Sequence, residues 1–290
     1  MRNRSRIIVL AVVLALAVVP SAAVAEDEAS TYLSLGTSLA AGTMANPIGE
    51  NILFTDLSYT DQLAGLLGDV EHIKLGCPGE TTATFTYGGI CYNDGVSQLS
   101  VAQSVLASGD VDLVTIDMGA NDFLQATPDI LACGEDEACI FGVVAGIAAD
   151  VGATLDALLA ADPDAHIVGM NYYNPSLAAW VGHYSGVPVE LEPDPDFAIL
   201  STGLSALGND LIEFEYYVRG IPVVDVEALF HGQDFGDRNG NGVPNNVEQI
   251  CKFTTMCPPR DGVSPNIHAN VKGYEKIARG FFDLLMAGAA

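Results

Sequence analysis

Five short apolar runs, at 31–35, 70–75, 111–118, 166–170 and 222–224, punctuate this chain, with longer segments of helical period between them. Each run is continuously apolar rather than alternating, the pattern of strands covered on both faces. Strands of that kind pair in parallel and need helical crossovers, which the intervening segments supply. The expected fold is therefore α/β, a three-layer α/β/α sandwich on a parallel sheet. Val96, Leu99, Ala102, Val105 and Leu106 mark one crossover helix that stops at Gly109, a residue suited to the left-handed cap. The segment 138–160 is apolar almost all round, which predicts a well-buried helix, and Asp150 and Asp156 within it argue against a membrane span. Val271, Tyr274, Ile277, Ala278, Phe281 and Leu285 recur at helical spacing and predict a closing helix.

The first residues read as an address. Arg2, Arg4 and Arg6 precede an apolar stretch from Ile7 to Val19, and Ala23-Val24-Ala25 follows as a small-x-small cleavage site. Residues 1–25 are expected to be a signal peptide, and 26–290 a single secreted domain. The apolar stretch is short of the roughly 20 residues that a spanning helix needs, so no stable membrane insertion is expected after cleavage. What remains carries eight Lys and Arg against 37 Asp and Glu, a formal charge of −29. That excess excludes nucleic acid and anionic membrane surfaces as partners, favours solubility and fits a monomer.

All six cysteines follow the leader: Cys77, Cys91, Cys133, Cys139, Cys251 and Cys257. An even count behind an export signal reads as disulfides. Their clustering favours Cys77–Cys91, Cys133–Cys139 and Cys251–Cys257 among 15 possible connectivities. No Cys-x-x-Cys or His-rich spacing supports a metal instead.

Ligands of open α/β sheets bind beyond the carboxyl ends of the strands. Ser38, Gly79 and Asn121 each follow a predicted strand, and His268 precedes the last helix. A serine hydroxyl becomes a nucleophile when a base removes its proton, and the oxyanion it generates needs donors already aimed at it. Ser38 can supply Oγ and its own N–H, Gly79 a bare backbone N–H, Asn121 a side-chain amide, and His268 the base. His72, His166, His183 and His231 lack such company and read as structural.

The four segments Gly36-Thr37-Ser38, Gly76 to Thr81, Gly119-Ala120-Asn121-Asp122 and Ile267 to Asn270 resemble the four sequence blocks of the SGNH, or GDSL-type, hydrolase superfamily of esterases and lipases. The order and spacing agree over essentially the whole exported chain. The resemblance implies a flavodoxin-like sandwich on a five-stranded parallel sheet and a secreted serine esterase without an organic cofactor. Its substrates would be small-molecule or lipid esters, or acylated carbohydrates. Ser38 would be the nucleophile, Ser38, Gly79 and Asn121 the oxyanion hole, and His268 the general base. The Gly-x-Ser-x-Gly elbow of larger α/β-hydrolases is absent from the sequence. Two positions depart from the family pattern. Thr37 replaces the acid of Gly-Asp-Ser, and Pro265 stands where the family carries the Asp that orients the histidine. Asp261, a Ser–His dyad steadied by a main-chain carbonyl, and Asn266 are the three ways to fill that gap.

A second signal lies in a Gly/Asn-rich insertion at 235–257. Asp237-Arg238-Asn239-Gly240-Asn241-Gly242 with Glu248 fits the calcium-loop pattern D-x-[DN]-x-[DN]-G-x5-E. Asp237, Asn239, Asn241, the Val243 carbonyl, Asn245 through water and bidentate Glu248 would be the oxygen ligands of a weak extracellular Ca2+ site. The competing reading is a polar surface turn. Aromatics at Tyr172, Tyr173, Trp180 and Tyr184 are expected to wall a pocket at the same sheet edge. A rival to the esterase is a catalytically silent, calcium-braced binding module on the same fold.

Overall fold

The computed structural model describes residues 30–259 and 262–288. The leader at 1–25 and Asp261 lie outside the described residues. In chain order the first elements are β1 (Ser30–Gly36), α1 (Ser38–Ala41), β2 (Met44–Ala45), β3 (Asn51–Ile52), α2 (Tyr59–Leu67), β4 (Val70–Lys74), α3 (Thr82–Tyr87) and α4 (Gln98–Leu106). They are followed by β5 (Leu113–Asp117), α5 (Ala120–Ala132), α6 (Glu137–Leu159), β6 (Ile167–Met170), a 3₁₀ segment (Pro175–Val181), α7 (Pro195–Tyr217) and β7 (Val223–Val224). The chain closes with α8 (Val226–Leu229), α9 (Asn245–Phe253), β8 (Thr254–Thr255), β9 (Asn266–Ala269) and α10 (Val271–Gly288).

Five strands form one parallel sheet in the order β4-β1-β5-β6-β7, each at an expected position, but β4 is not continuously apolar: it reads Val-Glu-His-Ile-Lys and, as an edge strand, leaves Glu71 exposed. Leu33, Leu35, Val114, Ile116 and Val168 are fully buried in it. Each such side chain contributes roughly 1.5–3 kcal/mol by leaving water. The helices sort into two groups, α2 and α8–α10 in one and α3–α7 in the other, each packed within itself. This is the expected three-layer sandwich. Its central strands β1 and β5 end at Gly36 and Asp117, one step before the serine turn and two before the Gly119–Asn121 turn.

Two departures have physical causes. Helix α6 is not buried all round: Val144, Ile147, Ala148, Val151, Leu155 and Leu158 face the core, while its first turns, including Phe141, are exposed. Alanine and glycine on its outer side raise apolarity without needing cover. The insertion at 235–257 contains a helix, α9, which buries Val247 and Ile250 beside Asn245 and Asn246. The two asparagines are buried because Asp234 Oδ2 and the Gly232 carbonyl accept from their amides at 2.8 and 3.0 Å.

The three disulfides are those expected from clustering, Cys77–Cys91, Cys133–Cys139 and Cys251–Cys257. The first pins the Gly79 turn, and the third ties α9 to the segment leading toward His268.

Candidate active site

The serine turn is built around a buried acid. Thr37 caps the four-residue helix α1, and both its N–H and its hydroxyl donate to Asp117 Oδ1, at 2.7 and 2.6 Å. Gly36, at φ +126°, brings the backbone so close to Asp117 that a Cβ there would collide with that carboxyl group. Ser38 is thereby presented as the first residue of α1, half-buried. Gln98 ties this turn to the next one. Its amide accepts from Gly36 N and donates to Gly36 O and Glu80 Oε2, at 2.6, 3.0 and 2.8 Å. Glu80 O in turn accepts from Asn121 Nδ2 at 2.8 Å. One Asn121 amide hydrogen is thus used to fix the side chain, and the other makes no hydrogen bond among the described residues.

Gly79 is the exposed residue of the otherwise buried or half-buried Cys77–Glu80 turn, with φ +85°. A Cβ there would meet only Ile90 Cδ1, at 3.8 Å, so glycine is required by the left-handed backbone and not by crowding.

His268 lies on β9, 7% exposed. Its Nδ1 is 2.7 Å from Asn266 Oδ1, which also accepts from the His268 backbone N–H at 3.1 Å. The Asn266 amide nitrogen donates to Gly49 O and Asn51 Oδ1, at 3.0 and 2.9 Å. The Gly49 carbonyl, which can only accept, and the His268 backbone N–H, which can only donate, fix the Asn266 amide orientation, leaving its Oδ1 as the acceptor facing Nδ1. Nδ1 therefore carries the proton, and Nε2 keeps the lone pair that a base needs. Burial pushes the imidazole down to about 4. It is neutral at pH 7. The Tyr173 hydroxyl, donating to Ile267 O at 2.8 Å, holds the same strand from the other side.

Ser38, Asn121 and His268 line one cavity of about 290 Å³. Among the described residues no hydrogen bond joins Ser38 Oγ to the imidazole, and catalytic contacts of this kind commonly tighten only with substrate. Gly79 is outside the cavity lining, one residue before the carbonyl that holds Asn121. Tyr172 and Tyr173 belong to the lining, whereas Trp180 packs on Phe235 and Tyr184 beside Phe197. The rest of the wall is mostly apolar, with Leu39, Phe123, Leu124, Val144, Leu200 and Leu204, and carries polar side chains at Thr127, Asn174, Ser176, Ser201, Ser205 and Asn209.

Sequence reasoning missed two features. The apolar face of α7 was readable in Phe197, Leu200 and Leu204, which recur at helical spacing. Asp117 was readable as the one acid in an otherwise apolar strand, β5.

Asp117 is fully buried, and burial, opposed by the Thr37 hydrogen bonds, raises its carboxyl to about 7. It and His268 then have opposite linkage. Asp117 holds a proton in the folded state between its unfolded value near 3.8 and about 7, so its contribution to stability falls as pH rises through that window. His268 is deprotonated in the folded state between about 4 and its unfolded value of 6.5, so its contribution rises with pH. Together they nearly cancel. Asp117→Asn removes one partner, and its stability relative to wild type should climb by about 1.4 kcal/mol per pH unit from pH 4.5 to 6.5. Urea unfolding at three pH values measures this, and parallel curves for the two proteins would refute it.

In the 237–248 loop, Asp237 Oδ1 and Oδ2 accept from the N–H groups of Gly240, Asn241 and Gly242. Asn239 and Asn241 donate to the two oxygens of Glu248, at 2.6 and 2.8 Å. The side chains of the pattern thus converge. Among the described residues no group of three or more His, Cys, Asp or Glu is arranged to hold a metal, and this loop supplies two acids only.

The sequence profile of the GDSL-like lipase/acylhydrolase family matches residues 34–276. An extracellular lipase from Streptomyces rimosus is similar in fold, with TM-score 0.52 and 19% identity over 87% of this chain and 99% of that one. The carbohydrate acetylesterase Est24 from Sinorhizobium meliloti follows at TM-score 0.49 and 17% identity, covering 89% and 99%. Phospholipase A1 from Streptomyces albidoflavus has TM-score 0.49 and 17% identity, covering 87% and 98%. No curated protein matches the chain.

Proposed function

The chain belongs to the GDSL-like lipase/acylhydrolase family, and from that premise we propose that it is an exported serine esterase that cleaves medium- to long-chain acyl esters through an acyl-enzyme. The observation that carries this reading is that Ser38, Asn121 and His268 line one cavity whose remaining wall is mostly apolar. Ser38 Oγ attacks the ester carbonyl while His268 Nε2 takes its proton. The oxyanion is met by the backbone N–H groups of Ser38 and Gly79 and by the second amide hydrogen of Asn121. Asn121 stands in the first turn of α5, where the helix dipole adds positive potential. His268 returns the proton to the leaving alcohol and then activates the water that releases the acid. Asn266 orients the imidazole in the place of the family's acid. Ester hydrolysis by these groups calls for no organic cofactor. The apolar leader and three disulfides support export into an oxidising compartment.

A p-nitrophenyl ester series tests both activity and chain length. Each buried methylene is worth about 0.8 kcal/mol, or about fourfold in kcat/KM. Octanoate should therefore exceed acetate by at least about a hundredfold. A preference for acetate would overturn the acyl-pocket reading, and no turnover of any ester would overturn the esterase.

For the 237–248 loop we keep Ca2+ as the fitting ion. Asp237, Asn239, Asn241, the Val243 carbonyl and Glu248 are the right kind of oxygen donors, once the two amides turn their oxygens toward Glu248's side of the loop. Bound there, Ca2+ would brace α9 and the Cys251–Cys257 bridge. Chelation should lower the melting temperature and leave chemistry at Ser38 intact. An unchanged melting temperature with and without millimolar Ca2+ would remove the ion from the account.

A further inference from the structure

We infer that the mouth of the cavity is a docking surface for an acyl-lipid aggregate with no net charge, a step that rests on the esterase reading for its purpose but not for its test. Leu124 and Leu131 of α5 and Phe197 and Leu200 of α7 line the cavity, yet they are 40–70% exposed. Phe141, one turn before the cavity residue Val144 on α6, is half-exposed as well. A soluble monomer seldom leaves such a group of large apolar side chains in water without a partner.

The occupant follows from position and charge. The apolar rim is continuous with the cavity that holds Ser38 and His268, so whatever covers the rim also delivers a chain into the pocket. Helices α5, α6 and α7 contain no Lys or Arg, Asp129, Glu137 and Asp196 are exposed on them, and Asp136 is exposed at the N-cap of α6. An anionic surface is repelled by these acids and by a chain carrying −26 overall. A second copy in two-fold contact would set the same acids against themselves. A neutral or zwitterionic lipid surface meets neither penalty, and it offers the acyl ester that the pocket fits.

The test uses Ser38→Ala protein, which cannot consume the lipid, in flotation with phosphatidylcholine vesicles and with phosphatidylglycerol vesicles. The protein should float with the first and remain below with the second. Leu131→Ser/Phe141→Ser should weaken flotation at least tenfold, as should Leu200→Ser on the other helix; circular dichroism confirms that each is folded. Flotation that survives all three changes overturns the docking surface. So does binding that grows with anionic lipid, and so does a dimer that is dispersed by the same substitutions and never floats. Vesicle binding by a protein whose wild type hydrolyses no ester would leave docking standing and remove the esterase. Turnover of soluble esters by a protein that never floats would do the reverse.

Discussion

Ser38→Ala is expected to lower kcat on p-nitrophenyl octanoate by about 10⁶, the scale on which a serine hydrolase depends on its nucleophile. The loss should fall on kcat with little change in KM, because the acyl chain is held by Leu39, Phe123, Leu200 and Leu204, none of which touches the reacting atoms in this account. Stability should barely move, since the turn is set by Thr37, Gly36 and Asp117 and not by the serine hydroxyl. Steady-state kinetics together with a thermal melt separate the two effects. Residual activity within about tenfold of wild type would mean that another group attacks the ester.

Asn266→Ala should be the next most damaging change, with kcat reduced about 10²–10⁴-fold. Loss of the group that fixes the histidine tautomer costs up to that much in serine proteases. Here the tautomer is fixed by a neutral amide, itself locked by Gly49 O and Asn51 Oδ1. Removing it frees the imidazole to rotate and to carry its proton on the wrong nitrogen. The absence of a carboxylate has its own signature. Burial is the one cause acting on His268, which stands at about 4. Activity should therefore persist on the acid side down to about pH 4, below which the base is protonated. Asn266→Asp supplies a charge that favours the imidazolium, so it should retain activity and move the acid limb of kcat/KM upward. Asp261→Ala is the control and should act like wild type. Full activity in Asn266→Ala, or loss in Asp261→Ala, would reassign the third residue.

The sheet was legible because strands covered on both faces must be apolar throughout, and 31–35, 111–118 and 166–170 hold no competing pattern. The Ser38 and Asn121 turns were legible as local motifs that follow strands, and His268 as a residue just before the last helix; the strand that carries it, β9, was not foreseen. Among the three candidates for orienting His268, the contact with Asn266 could not be singled out, because its amide is set by Gly49 and Asn51, more than 200 positions away. Asp117 was hidden for a similar reason. An acid at a strand end reads as the start of a solvent turn until Thr37, 80 residues earlier, is seen to donate to it twice. Thr37, a departure from the family's Gly-Asp-Ser, thus has a carboxyl group beneath the serine turn that comes from the neighbouring strand. Helix α6 shows the opposite limit: apolar composition measures what burial would gain and not which side is covered. Its exposed start lies next to the cavity rim.

The most direct test of the central claim is covalent. Wild-type protein incubated with a fluorophosphonate should gain a single adduct by intact mass, and peptide mapping should place it on Ser38. The adduct should vanish in Ser38→Ala. A folded protein that never labels, or that labels at another residue, would contradict an acyl-enzyme at this site and leave a binding module on a hydrolase fold.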